Sequence, residues 1–489
     1  MFLFDDITTR IGNAITAGAE SRMSELEFFE TELSRWRNSP ERMAQIGGHL
    51  YYGGEHDILF RKRMVIGENG ELTEVTNLPN NRIVDNQYKK LVKQKANYLL
   101  GQPFVVESQN KAYVEALKEI FNKRFMRTLK NAGKAALNGG VAWLYPCFDE
   151  QGKLCFRYFP AYEIKPYWKD SEHTELDCAL RLYCVEGYEG AAPVVIHKVE
   201  IYRDLGVEKY ILTDGGRLEP DLDENGLYKY AYVTAGDVSL NWAKIPLVAL
   251  KYTETETPLL KQVKTLQDGL NIMLSDFENA MQEDARNTIL VLKNYDGTNL
   301  GEFRRNLATY GAVKVRYDGE TKGGVETLEI KVNSDNYKSI IEIFKKAIVE
   351  NGMGYDAKDD RLSGNPNQMN IQSMYSDIDL DCNDWETELQ AMFEDLLFFV
   401  NAYLANSGRG NFEGEKVNII FNRDILINES EAIENCAKSV GLLSDETIVG
   451  QHPWIDDKEE ELRRLAAQKE REESEARGMF DNDSGGDID

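Results

Sequence analysis

Histidine and cysteine are both scarce in this chain of 489 residues, at five and six copies. Cys147, Cys155, Cys178, Cys184, Cys382 and Cys436 form no C-x-x-C pair, and no histidine stands beside them at metal-ligand spacing. Zinc-ribbon and thioredoxin-like readings therefore fall away, and reduced thiols are the expectation. Long apolar runs are missing too. The most lipid-like stretch, Leu396 to Leu404, is nine residues and contains Asn401, about half of what a membrane-spanning helix needs. The opening MFLFDDITTR has no signal-peptide core and carries Asp5 and Asp6 where such peptides are basic, so a cytoplasmic start is expected. Positive charge is also in short supply. Lys and Arg number 57 against 83 Asp and Glu, a net charge of −26 and a pI near 4.8. Tight wrapping of DNA relies on neutralising phosphates, which this balance disfavours. It does not disfavour a surface that DNA slides past.

What is present is ordinary globular composition, 42% hydrophobic and 29% charged, with a length that predicts about three domains or one elaborated architecture. Phe28, Phe29, Leu33 and Trp36 recur at helical spacing in the first sixty residues. The run from Asn80 to Pro103 predicts a helix carrying Ile83, Tyr88, Leu91, Val92, Lys95 and Leu99, closed by Gly101 and Pro103. A second helix is predicted from Lys111 to Leu137. The period then changes to two. Short β-branched and aromatic runs from Val141 to Thr234 predict a mostly antiparallel β region, closed by a strand at Val248 to Tyr252.

Helical periodicity returns from Leu259 to Ala285, with an expected apolar stripe of Leu266, Leu270, Met273, Phe277 and Met281. A small α/β insert follows: strand Thr288 to Leu292, helix Leu300 to Thr309, strands Ala312 to Tyr317 and Val325 to Ile330. A helix from Tyr337 to Glu350 then closes the bracket. Residues 351 to 368, rich in Gly, Asn, Asp and Pro, form a loop longer than compact domains keep without a purpose. A long helix is predicted from Asn370 to Asn406, then one strand near Val417 and two helices, Glu429 to Val440 and Lys458 to Glu475. The acidic tail, 476–489, is expected to be disordered. The fold class is α+β.

The chemistry is thin. Neither a Walker phosphate loop nor H-E-x-x-H occurs. Asp221, Asp223, Asn225 and Gly226 match the first half of a calcium loop, but Tyr232 stands where the bidentate Glu belongs, and Asn-Gly reads as a hairpin turn. His173 and His452 have no Ser or Cys beside them in a nucleophile-like setting. No enzyme, cofactor or metal is expected.

The order of several local patterns is informative. Asn80, Asn81, Arg82, Ile83 and Val84 precede a helix ending Tyr98-Leu99-Leu100-Gly101-Gln102-Pro103. Asn138-Gly139-Gly140-Val141-Ala142-Trp143 leads to Phe159-Pro160 and Glu163-Ile164-Lys165-Pro166. Trp242-Ala243-Lys244-Ile245-Pro246 is followed by Thr265, Leu266, Asp268 and Ser275-Asp276-Phe277. Near the end come Leu443-Ser444-Asp445-Glu446-Thr447 and Pro453. Together, over about residues 40 to 475, these resemble the portal proteins of tailed bacteriophages, the siphovirus-like head-to-tail connector family.

That resemblance implies a portal fold: a wing (1–256), stem helices (257–287 and 334–350) around a clip (288–333), a tunnel loop (351–368), a long kinked helix (369–406) and a crown (407–475). It implies a homo-oligomeric ring of about twelve subunits at one capsid vertex, through which double-stranded DNA is packaged, retained and ejected. Implied partners are the terminase large subunit, head-completion or adaptor proteins, and the major capsid and scaffolding proteins. The location implied is the virion, after assembly in the host bacterial cytoplasm. Candidate channel residues are Lys345, Lys346, Lys358, Asp359, Asp360, Arg361 and Asn365. Candidate clip residues for motor docking are Arg304, Arg305 and Tyr310. The alternatives are a head-associated adaptor or a metal-dependent nucleic-acid enzyme.

Overall fold

The computed structural model describes residues 24–66, 70–76, 78–235, 238–284, 288–293, 301, 324–329, 334–356, 368–423, 429–455 and 458–482. In chain order, α1 (Glu25–Arg37) and α2 (Pro40–Gly53) precede a short pair, β1 (Met64–Ile66) and β2 (Leu72–Glu74). Next come α3 (Gln87–Leu100), β3 (Val105–Glu107), α4 (Lys111–Ile120) and α5 (Lys123–Gly139). A β region follows: β4 (Val141–Phe148), β5 (Leu154–Pro160), β6 (Ile164–Trp168), β7 (Leu176–Glu189), β8 (Ala192–Arg203), β9 (Gly206–Leu212), β10 (Leu218–Pro220), β11 (Lys229–Tyr230), β12 (Val233–Ala235), β13 (Val238–Leu240) and β14 (Val248–Lys251). The chain then runs through α6 (Leu260–Asp284), β15 (Thr288–Lys293), β16 (Gly324–Glu329), α7 (Ser334–Asn351) and α8 (Gln368–Asn406). It ends with β17 (Asn418–Ile420), α9 (Glu429–Lys438), α10 (Asp445–Gln451) and α11 (Lys458–Asn482). The α+β class stands.

The sheets are antiparallel. One has the order β10-β9-β8-β7-β6, with β11 also pairing β9; another has the order β14-β4-β5. α1 closes the first sheet by burying Phe29, Leu33 and Trp36 against Tyr167, Leu180 and Ile201. The larger core lies where α3, α5 and α8 meet β4 and β14. Along α8, Leu389, Phe393, Leu396, Val400 and Leu404 are buried; each such side chain contributes about 1.5–3 kcal/mol. Gly140 turns the chain from α5 into β4 with φ of 81°, and a Cβ there would lie 1.9 Å from the Glu256 carbonyl oxygen. Only glycine fits that junction.

Several elements depart from expectation for local reasons. The helix predicted from Asn80 begins only at Gln87, capped by the Asn86 side chain on Lys89 N–H. The helix predicted over Lys111 to Leu137 is two helices, because Asn122 accepts from Arg124 and Phe125 N–H and starts a new one. The C-terminal region has a third helix, α10, capped by Ser444, and α11 continues to Asn482. Of the insert, β15 and β16 pair from Thr288↔Glu329 to Lys293↔Gly324. The predicted helix Leu300 to Thr309, apart from residue 301, and the strand Ala312 to Tyr317 lie outside the described residues.

Candidate functional site

α6 and α7 pack side by side and antiparallel. A Cβ on Gly269 would touch the Phe344 ring at 2.9 Å, and Phe277 meets Tyr337 with ring centroids 5.0 Å apart. The β15–β16 pair leaves and re-enters at one end of this hairpin. Of the apolar stripe expected on α6, Leu270 is buried, Leu266 packs partly against the core, and Met281 is half exposed. The fully buried positions between and beyond them are polar: Gln267, Asn271, Ser275 and Asn279.

These four side chains face the backbone of residues 81–88. Asn81 N–H donates to Asn279 Oδ1 (2.8 Å), Ile83 N–H to Ser275 Oγ (2.9 Å) and Asp85 N–H to Asn271 Oδ1 (3.1 Å). Gln87 and Tyr88 N–H both donate to Gln267 Oε1 at 3.0 Å, and Gln267 Nε2 returns a bond to the Asp85 carbonyl. The pitches match. Four helical residues rise about 6.0 Å and two extended residues about 6.7 Å, so every second amide of one chain meets every fourth side chain of the other. The apolar-stripe rule missed this ladder. Its sequence signal is Q-x-x-x-N-x-x-x-S-x-x-x-N opposite an Asn-rich segment.

His56 locks the ladder from behind. Burial pushes its proton affinity below the ordinary histidine range, so the ring is neutral; Nδ1 accepts from Asn271 Nδ2 (2.9 Å) and Nε2 donates to the Tyr51 carbonyl (3.1 Å).

α3 also holds both flanks of the segment between α7 and α8. Lys95 is fully buried, and its Nζ donates to the Met353 carbonyl (3.0 Å) after α7 and to Asp381 Oδ2 (2.5 Å) on α8. Tyr252 donates to the other Asp381 oxygen at 2.7 Å. Gln94 Nε2 donates to the Tyr355 carbonyl (2.8 Å), and Tyr375 on α8 contacts both Tyr355 and Tyr98. Leu91 fills the space beside Gly352 and Gly354; a Cβ on either would lie 2.5 Å from it. Arg423 clamps Asp379 and Glu386, which lie on either side of Asp381 along α8.

The expected channel residues are only partly within reach. Lys345 pairs with Asp85 at 2.8 Å and so ties α7 back to the ladder segment. Lys346 is exposed, with a loose contact of 3.8 Å to Glu350. Lys358, Asp359, Asp360, Arg361 and Asn365 lie outside the described residues, as do Arg304, Arg305 and Tyr310. The calcium-like loop is a turn: Asp223 Oδ1 accepts from Asn225 and Leu227 N–H, and Asp221 pairs with Lys198. Among the described residues no group of three or more His, Cys, Asp or Glu is placed to hold a metal, and no helix is long and apolar enough to cross a membrane.

Three outcomes are expected. Asn271→Leu strands Asp85 N–H and His56 and lowers the unfolding free energy by about 2 kcal/mol or more in urea titrations, whereas Ser275→Ala costs about 1 kcal/mol. Lys95→Met alone leaves Asp381 without its ammonium and costs about 3–5 kcal/mol, most of which Lys95→Met with Asp381→Leu recovers. The unfolded chain binds a proton at His56 more readily than the folded one. The stability held there is therefore complete above about pH 6.5 and lost as pH falls through the lower folded value. Calorimetry from pH 7 to 5 then shows a steeper fall in Tm for the wild type than for His56→Gln.

Over residues 48–475 the chain matches the family described as phage portal protein, SPP1 Gp6-like. The portal protein of Bacillus phage SPP1 is 29% identical over 456 residues, spanning 92% of this chain and 88% of the relative. That of Clostridium phage phiCD119 is 27% identical over 448 residues, spanning 88% and 94%. A solved chain from the neck of an empty GTA particle superposes with a TM-score of 0.38 at 11% identity, over 74% of this chain and 88% of that one; a score that low carries no argument. The family match takes in the ladder, the hairpin and the Lys95 network together. The chain belongs to the SPP1 Gp6-like family of phage portal proteins.

Proposed function

We propose that this portal protein assembles with copies of itself into a ring at one vertex of the capsid and forms the conduit for double-stranded DNA during packaging, retention and ejection. The observation that carries the reading is the braced hairpin. α6 and α7, about 37 Å and 27 Å long at 1.5 Å per residue, are fixed to the body along about half of α6 by the ladder and near the end of α7 by the Lys345–Asp85 pair, and the β15–β16 pair lies between them in the chain. Residues 288–333 are then the clip, the docking surface for the terminase large subunit and later for head-completion proteins. Residues 351–368 form the tunnel loop, which Lys95 holds at Met353 and, beyond it, at Asp381 on α8. Capsid and scaffolding proteins are the remaining partners, with assembly in the host cytoplasm and residence in the virion.

The proposed mechanism is physical. About twelve copies carry on the order of three hundred negative charges, screened over about 8 Å at physiological salt. A lumen of that sign repels phosphates and keeps DNA from binding by counterion release. Lys345 is neutralised by Asp85, so among the described candidates Lys346, exposed and only loosely paired with Glu350, supplies the cation. Single basic residues repeated around a ring give sparse, transient grip.

Native mass spectrometry of the purified chain is expected to show a ring of about ten to thirteen subunits; a species no larger than a trimer at every concentration sinks the reading. Deletion of residues 358–365 is expected to leave the ring intact and abolish DNA packaging or retention. Full heads with the deletion remove the tunnel role.

A further inference from the structure

Charge is strongly segregated in this acidic chain. α3 carries four lysines and α5 five cations, and neither helix has a single Asp or Glu. Two of the α3 lysines are engaged within the subunit: Lys95 with Asp381, and Lys89 over the Tyr52 ring. Lys93 on α3 and Lys130 and Lys134 on α5 are different. α3 packs on α5, Lys130 and Lys134 are one helical turn apart, and no carboxylate of the same chain pairs with any of the three among the described residues. Lys93 is exposed, and Lys130 and Lys134 are half-buried. Burial first, then the charges of Lys130 and Lys93, hold the Lys134 ammonium below the usual lysine range. Three like charges have been gathered on one ridge, with no carboxylate among the described residues to balance them.

Elsewhere on the same subunit lies the complement. A cleft of about 500 Å³ opens between the β6–β7 turn, β14 and α8, and Glu172, Glu175, Glu254, Glu388, Glu394 and Asp395 line it. Its cations are partly spent: Lys169 pairs with Glu175, Lys251 with Glu256, and Lys244 reaches Asp395 only at 3.9 Å. Burial, opposed by Lys251 and reinforced by Glu254 and Glu256, raises the Glu388 carboxyl above its ordinary range. Burial, opposed by Lys244 and reinforced by Glu394, does the same for Asp395. Both surfaces hold charge that the isolated subunit leaves poorly compensated, and the signs are opposite.

We propose that the Lys93–Lys130–Lys134 ridge of one copy docks into the carboxylate-lined cleft between β14 and α8 of the next. This deepens the ring reading and rests on it. A closed ring needs a heterologous contact, two different patches that complement each other around a rotation axis. Copies with a net charge of −26 repel unless opposite patches are brought together. Ridge and cleft supply such a pair and fix which side of each subunit faces its neighbour. A nucleic-acid phosphate backbone is the competing occupant of the ridge, but it leaves the cleft uncompensated.

The test uses the full chain, with sedimentation velocity and native mass spectrometry at physiological salt. Lys130→Glu with Lys134→Glu is expected to raise the concentration for half-assembly at least about tenfold, with circular dichroism and Tm unchanged. Glu394→Lys with Asp395→Lys is expected to do the same, and all four substitutions in one chain to restore the ring. Glu388→Gln, which adds no charge, checks the cleft without reversal and is expected to weaken assembly less. Wild-type assembly in the Lys130→Glu, Lys134→Glu variant overturns the proposal, as does failure of the fourfold variant to regain what each pair lost. Intact rings in that variant with weaker retention of a double-stranded DNA fragment assign the ridge to phosphate and also overturn it. A wild-type chain that never exceeds a trimer overturns the ring reading itself, an outcome separate from ring-forming variants.

Discussion

Everything around the hairpin depends on how the backbone of residues 81–88 satisfies its buried N–H groups. Residues 81–86 are neither strand nor helix, residues 87 and 88 open α3 with N–H groups that have no partner within the helix, and among the described residues no strand pairs with the segment. Buried amides without partners cost about 1–3 kcal/mol each, so a segment with five of them needs a dedicated surface. α6 provides it as four side chains on one face. The arrangement costs the helix its apolar stripe at those positions and gains a fixed register. A shift of one residue in either chain would leave the amides facing the wrong atoms, whereas an apolar contact tolerates sliding.

α3 follows directly from that register. Asn86 caps it and Gln267 holds its first two amides, so its position is set before its side chains pack. Lys95, Gln94 and Leu91 then lie on the side facing α7 and α8 and reach both flanks of residues 357–367. Lys93, one or two residues away, falls on the other side. A single basic helix thus serves the interior with some lysines and leaves others to the surface, and helical periodicity decides which.

Much of the architecture was legible because it follows from burial. β-branched and aromatic runs marked β4 and β8, the helix pair bracketing residues 288–329 had clear periodicity, and the long helix predicted to Asn406 is α8, with Trp385, Leu389, Phe393 and Leu396 in the core. The ladder was not legible in that way, since Asn271 and Ser275 in a helix look like a solvated face unless their partners are known. For the same reason Ile83 was placed in a helix. Only the tertiary contact with Ser275 shows why that residue stays extended. Lys95 appeared among apolar positions without its partner, because Asp381 lies 286 residues away. Lys345 looked like a free cation for the same reason: Asp85 is distant in sequence. A long-range polar pair shows at most a polar residue at a core period, as along α6, and never names its partner.

The hairpin is also a lever. Its clamped length, Gln267 to Asn279, is about 18 Å, and α6 continues about 7 Å beyond it to Asp284. A play of about 0.5 Å in one hydrogen bond, across an 18 Å base, is an angular error of about two degrees. Carried to the end of α6 at Asp284, that is a displacement of roughly 1 Å. Had the contact been a single bond, the same play would swing the tip freely. Four side chains spaced along the base set the aim of each subunit, and the alignment of many tips around an axis needs no contact between the tips themselves.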